Sequence, residues 1–359
     1  MKKRWVLFGL LLLSCLLLGF LVEISVPGVH CRLEGTLHRL PVSASPAAVQ
    51  SVEQVNQWEL EVGPGQRVRL QGANIASAAE SAPLVRISAF AVRQDRMSPL
   101  EVTSCMPISA RTPAASPPMR ISQKPADRIH IASEVVTITG VRWGCDVAAI
   151  SAETRHSWAT ATYALDRINQ VYLVQKPFFP KRLFSHYLML FTFKDGGIKS
   201  ATGETSRGLV VSVEAYRQIG TSFSVLRGFQ KHFAISWIMA SFENYFSEGC
   251  TVEKETMFAQ RVRATDEQKK SLFRAAMELG AYPRQGEFYH VITNSCITNQ
   301  MIVLNKVFQE KIALWWVNDW LFNFRVAVPF LTIGYLRGLG ILEAETITLT
   351  ADTYSEKLP

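Results

Sequence analysis

Lys2-Lys3-Arg4 precede an uncharged run from Trp5 to Val22, and these 18 residues constrain the chain more than any other feature. As a helix, a run of that length just spans a bilayer core of about 30 Å. It is long for the apolar centre of a signal peptide, and no A-x-A-like site follows it. Leu12-Leu13-Ser14-Cys15 loosely resembles a lipid-attachment motif, but the apolar run continues through Leu16-Leu17-Leu18. The reading taken is an uncleaved anchor within residues 1–25, with a cleaved signal and lipidation as alternatives. All three leave the positive flank in the cytoplasm and export the remainder. The exported side is oxidising, so disulfides become available to the chain.

The rest of the composition excludes several classes. With 359 residues, 48% hydrophobic and 19% charged, the chain can bury a core and has room for about two domains. A net charge of +8 over this length is mild, and no Lys/Arg block follows the first residues. Nucleic-acid binding is therefore not expected, whereas an anionic membrane surface suits the charge. Six cysteines occur without a CxxC. The usual zinc and thioredoxin signatures are thus missing, and neither a metal nor a cofactor is expected.

Residues 26–154 read as a β-rich accessory region. Trp58 to Val62 and Arg67 to Leu70 alternate around Gly63-Pro64-Gly65, a hairpin signal. Val85 to Val92, Arg128 to Ala132 and Val135 to Val141 add strands, and Ser109 to Pro118 reads as a loop. A small sandwich is the expected form. From residue 155 to 345 aromatics and helical periods appear. Leu183 to Phe193 and Leu209 to Tyr216 read as strands, the first closed by Asp195-Gly196-Gly197. Thr265 and Gln268 form a capping-box pattern before a helix with Leu272, Phe273, Ala276 and Leu279 on one stripe. Phe288 to Thr293 reads as extended. A second helix starts near Cys296, capped by Asn294 or Ser295, with Ile297, Met301, Leu304 and Phe308 on one face. The apolar, Trp-rich stretch that follows is broken by Lys311, Asp319 and Arg325, with Pro329 expected to break a helix. Residues 346–359 form a tail. The fold class expected is α+β.

Two patterns carry chemistry: Ser185-His186-Tyr187 on a strand, and Tyr289 to Thr298 at a strand-to-helix junction. A cysteine in the first helical turn sits at the positive end of the helix dipole, near unpaired N–H groups. Both favour thiolate, the nucleophilic form, and the same groups can hold an oxyanion. The chemistry then needs a base within hydrogen-bond reach and a group to orient it. Of seven histidines, His186 suits the base best. His290 would lie roughly 20 Å from Cys296 along an extended strand. Strand alternation puts Ser212, Glu214 and Tyr216 on one face. If the two strands pair, Glu214 can reach His186 and fix its tautomer. A packed histidine, a Glu214–Arg217 bridge and a cysteine that is a disulfide half are the ordinary readings of the same residues. Beyond Cys15, five cysteines remain, an odd number, so at least one is unpaired within the chain or pairs with another molecule. Cys105 with Cys145 and Cys31 with Cys250 is one pairing that frees Cys296.

The stretch from about 155 to 345 resembles the periplasmic domain of the Lnb-type bacterial lipoprotein N-acyltransferases. Four pieces carry the resemblance: Ser185-His186 with Phe191 to Gly196; Ser212 to Arg217; Phe288-Tyr289 leading into Asn294 to Thr298; and Arg325 to Pro329 with Gly334-Tyr335. The chain departs from the family where Ser295 separates Asn294 from the cysteine and where Phe242-Glu243-Asn244 stands at an acidic segment. A trailing bundle of spanning helices, frequent in the family, is not seen here. The resemblance implies a papain-like, permuted NlpC/P60-type thiol fold with histidine ahead of cysteine. It implies Cys296 as nucleophile, His186 as base and Glu214 as orienter, with Asn294 and Ser295 as substrate or oxyanion support. The implied activity moves an acyl chain from a phospholipid to an amine, such as a lipoprotein N-terminus, through a Cys thioester. Membrane, phospholipid donor and amine acceptor are the partners, at a bacterial inner membrane with the bulk of the chain periplasmic. The alternatives are a cysteine hydrolase of the cell envelope (peptidase, amidase or thioesterase) and an inactive lipid- or protein-binding module.

Overall fold

The computed structural model describes residues 119–178, 184–282, 287–309, 312–316 and 321–358, together with the backbone of five strands between residues 28 and 107. The anchor expected within residues 1–25 lies outside the described residues. Among the described residues, no helix is long and apolar enough to cross a membrane. Two units are present: residues 26–117 with 282–288, and residues 118–281 with 289–359.

The smaller unit holds β1 (Gly28–Arg39), β2 (Trp58–Gly63), β3 (Gln66–Gln71), β4 (Leu84–Val92) and β5 (Leu100–Pro107). They close into a barrel in the order β1-β2-β3-β5-β4, rather than stacking as a sandwich. Closure comes from the parallel pairing of Leu70 and Gln71 with Leu100 and Glu101, which joins what would otherwise be two edges. The expected hairpin is β2–β3, with Trp58 opposite Leu70.

The larger unit is built on one sheet. Its strands are β6 (Arg128–Ile131), β7 (Val135–Cys145), β8 (His156–Ala164), β9 (Ile168–Phe178), β10 (Phe184–Phe193), β11 (Ile198–Ser200), β12 (Gly208–Tyr216), β13 (Ala234–Ser241) and β14 (Met257–Arg261). After a two-residue pair, β15 (Trp315–Trp316) and β16 (Leu321–Phe322), comes β17 (Ile347–Leu349). The sheet order is β11-β8-β7-β13-β12-β10-β9-β14-β17, with β6 beside β7. Residues 119–154, read above with the accessory region, thus belong to this sheet. The helices are α1 (Val225–Phe229), α2 (Phe242–Phe246), α3 (Asp266–Ala281), α4 (Cys296–Val307) and α5 (Pro329–Gly338), with single turns at Phe324–Ala327 and Tyr354–Lys357. The protein is a mixed α/β molecule with a large sheet.

Both faces of the sheet are covered. On one face Tyr187, Met189 and Phe191 of β10 pack with Leu272, Phe273, Ala276 and Leu279 of α3 and with Ile297, Met301 and Leu304 of α4. On the other, Leu188 and Leu190 pack with Tyr172, Val174, Phe242 and Phe246. Double burial explains why Tyr187 to Phe191 read as an unbroken apolar run. The Phe273 ring lies 5.0 Å from that of Phe191 and 5.8 Å from that of Tyr163. α3 opens with the expected capping box: Thr265 N–H donates to Gln268 Oε1 at 2.9 Å, and Gln268 N–H returns to Thr265 Oγ1 at 3.3 Å. Pro329 starts α5 at its first turn instead of breaking a helix, because the N–H it lacks has no intrahelical partner there.

Candidate active site

β10 and β12 pair antiparallel from Thr192↔Gly208 to Leu188↔Ser212 and then part. Beyond that point β12 stays with β13 as far as Tyr216↔Ala234, and β10 stays with β9 as far as Phe184↔Phe178. His186 and Glu214 lie on the diverging halves, and the N-terminus of α4 packs beside them. Alternation puts His186, Ser212 and Glu214 on the face that carries Leu188, Leu190 and Val210.

Cys296 is the first residue of α4 and is 5% exposed. Ser295, in extended conformation, is the N-cap; its Oγ accepts the Thr298 N–H at 3.4 Å and lies 3.0 Å from Thr298 Oγ1. The preceding stretch, expected to be extended, is a tight turn instead. His290 and Asn294 exchange backbone hydrogen bonds of 3.1 and 3.0 Å, and His290 Nδ1 accepts the Thr293 N–H at 3.2 Å. The turn points α4 back across the sheet, where Gln300 Nε2 donates to the Val211 carbonyl at 3.1 Å. Asn294 serves this local frame: its Oδ1 accepts from Asn299 Nδ2 at 3.0 Å.

The thiol meets three donors. The His186 side chain and the Tyr187 backbone N–H hydrogen-bond to it. The Tyr289 hydroxyl points at Sγ from 3.8 Å. Burial alone would raise the Cys296 pKa, but the facing His186 charge and these bonds outweigh it and hold the thiol below its ordinary range. In turn, burial disfavours the imidazolium of His186, yet the Cys296 charge and then the Glu214 charge outweigh burial and raise its pKa. Lys176, opposite His186 on β9, opposes this weakly. Its ammonium is engaged by Glu253 at 2.7 Å and Glu255 at 2.6 Å.

Glu214 does not touch His186 directly. Ser212 stands between them, its Oγ 2.7 Å from His186 Nε2 and donating to Glu214 Oε1 at 3.1 Å. Because the hydroxyl proton goes to the carboxylate, Ser212 accepts from His186, which puts a proton on Nε2 and leaves Nδ1 for the thiol. Burial would raise the Glu214 pKa, but the His186 charge, the Arg142 charge and a Gln123 hydrogen bond lower it.

Of the residues singled out in the sequence, the structure thus brings together Cys296 and His186, with Glu214 one hydroxyl away. Ser212 was visible in sequence only as a polar residue on the Glu214 face, and Gln123 left no signal. Phe242-Glu243-Asn244 lies elsewhere: Glu243 Oε1 accepts from Arg207 Nε at 3.1 Å, and the Asn244 N–H donates to the N-cap Ser241 Oγ at 3.0 Å. Among the described residues Cys145, Cys250 and Cys296 are free thiols, while the side chains of Cys31 and Cys105, the partners expected for Cys250 and Cys145, lie outside the described residues. Cys145 sits at the end of β7 near Glu248, and Cys250 is buried in the turn after α2. Among the described residues no cluster of His, Cys, Asp and Glu is placed to hold a metal.

A buried thiol and a half-buried imidazole, each favouring the other's charged form and backed by a hydroxyl and a carboxylate, can attack a carbonyl and shuttle the leaving group's proton. No curated protein and no solved structure matches the chain. Residues 154–330 match the family model described as the Lnb N-terminal periplasmic domain, and this stretch belongs to that family, so that the chain carries the periplasmic domain of an Lnb-type envelope protein.

Proposed function

We propose that the protein is a membrane-anchored thiol acyltransferase of permuted papain-like type, held at the bilayer by residues 5–22. The observation that carries this is the pairing of Cys296 with His186 at the start of α4. The Cys296 thiolate attacks the acyl carbonyl of a phospholipid. The N–H groups of the first α4 turn, which have no intrahelical acceptor, hold the oxyanion. The ester C–O bond breaks, and the departing lyso-lipid oxygen takes the proton from His186. An amine then attacks the thioester, returns a proton to His186 and leaves as an amide while the thiolate re-forms. Glu214, through Ser212, steadies the imidazolium throughout.

A lipid donor is supported by the segment joining β12 to β13. Residues 217–233 include Arg217, Arg227 and Lys231 but no acidic residue. Ile219 and Leu226 are 46% and 59% exposed. Phe223 packs its ring 6.1 Å from that of Tyr289, and Phe229 lies 5.7 Å from the His290 ring. A basic, partly apolar segment beside the thiol suits an anionic lipid surface.

Intact-mass measurement of the full chain after incubation with phospholipid vesicles tests the reading. An acyl-mass adduct on the parent protein, labile to hydroxylamine and missing from Cys296→Ala, is expected. Failure of the parent protein to gain the adduct sinks it. Hydrolysis is the second reading, favoured by the partial exposure of His186, which gives water a route to the thioester. Free fatty acid produced without any acylated amine, when an amine acceptor is supplied, selects it.

A further inference from the structure

Gln123 is 4% exposed, and every polar group it carries toward the sheet is engaged. Its Nε2 donates to Glu214 Oε2 at 2.8 Å, its Oε1 accepts the Arg217 N–H at 3.0 Å, and its carbonyl accepts from Ser236 Oγ at 2.7 Å. Side-chain amides are often ambiguous in orientation. Here the Arg217 N–H can only donate, so the oxygen must face it and the amino group must face the carboxylate. The segment is itself pinned. Arg120 N–H donates to the Arg217 carbonyl at 2.9 Å, and Arg142 Nη1 donates to the Ser122 carbonyl at 2.9 Å. Met119 pairs with Gln218 as an isolated bridge.

We infer that Gln123 is a positioning residue for the thiol centre, holding Glu214 ionised and aimed at Ser212 so that His186 keeps its proton on Nε2. The inference rests on the thiolate–imidazolium reading above. It also extends the functional unit: Gln123 lies before the matched stretch 154–330, so the short turn at residues 121–123 completes a site whose other members come from that stretch. Two donors face Glu214, the Ser212 hydroxyl and the Gln123 amide. Loss of the amide leaves a half-buried carboxylate with half of its neutral donors. Its negative charge becomes harder to hold, and the support it gives the imidazolium weakens.

The test is the pH dependence of Cys296 alkylation by iodoacetamide in the full chain, resolved peptide by peptide with mass spectrometry so that Cys145 and Cys250 do not contribute. Gln123→Met keeps the length and shape but removes both polar functions. It should move the alkylation midpoint upward by about one pH unit, leaving about tenfold less thiolate below the midpoint. In a Glu214→Gln background the same change should move the midpoint no further, because the charge that Gln123 serves is already gone. A purely structural role would give equal shifts in both backgrounds. If Gln123→Met does not fold, Gln123→Asn, too short to span both partners, should show the same upward shift. An unchanged midpoint in the Gln123 variants, or equal shifts with and without the Glu214 charge, overturns the inference alone. A parent-protein midpoint at the ordinary thiol value overturns both it and the proposed function.

Discussion

Replacing Ser212 with alanine removes one oxygen from the centre of the site and little else. The side chain is fully buried, so no solvent can take its place without rearrangement. Two contacts disappear: 2.7 Å to His186 Nε2 and 3.1 Å to Glu214 Oε1. A hydrogen bond to a charged group contributes roughly 1.5–3 kcal/mol net. His186 loses that support in its imidazolium form, which lowers its pKa by about one to two units. Cys296 and His186 titrate as a pair, so the alkylation midpoint of Cys296 should rise by a similar amount. At a pH below both midpoints, thiolate and acyl-adduct formation should fall about tenfold or more. Global stability should fall by only about 1–3 kcal/mol, because Glu214 keeps its Gln123 donor. Ser212→Thr retains the hydroxyl and should titrate near the parent. The assay is the peptide-resolved alkylation rate across a pH series, read beside urea unfolding. If Ser212→Ala titrates like the parent while Glu214→Gln does not, the carboxylate acts on His186 without the hydroxyl, and the relay is refuted.

His186→Asn should move the Cys296 thiol upward, since burial is then opposed only by the Tyr187 and Tyr289 hydrogen bonds; alkylation at neutral pH should drop while circular dichroism stays unchanged. Glu248, 3.1 Å from Arg142 Nη2 and 3.1 Å from His156 Nε2, has its pKa held down to about 2, with burial opposed by Arg142 and His156. A depressed folded-state value adds stability above the unfolded pKa that is lost as pH falls through the folded one, so about 3 kcal/mol should disappear between roughly pH 5 and pH 2. Glu248→Gln should abolish that acid limb in pH-dependent unfolding and cost about 3–5 kcal/mol at neutral pH by leaving buried Arg142 unpaired. Thr265→Ala should cost about 1 kcal/mol in chemical denaturation by removing half of the α3 capping box.

What could be read from the sequence was local. The α3 start needed only Thr265 and Gln268, and the α4 start needed a cap residue before an apolar stripe. β10 and β12 showed as strands, and period-two alternation set Ser212 and Glu214 on one face. β13 escaped because Ala234 to Ser241 is buried on both faces, so no alternation marks it. The turn at His290–Asn294 depends on Thr293 bonding a histidine ring, a contact no periodicity encodes. Gln123 is 91 residues from Glu214 along the chain, and its role exists only once the sheet has brought them together. The barrel likewise depends on one parallel pairing between β3 and β5, to which strand patterns are blind.

The parting of β10 from β12 has one more effect. It frees the Tyr187 N–H from the ladder and turns it toward the Cys296 sulfur. That donor belongs to the main chain, so every residue substituted at position 187 except proline carries it unchanged. An alanine scan of this site will therefore miss one of the groups that make the thiol acidic. Only an ester in place of the His186–Tyr187 peptide link, which deletes the N–H and keeps both side chains, can reveal its share.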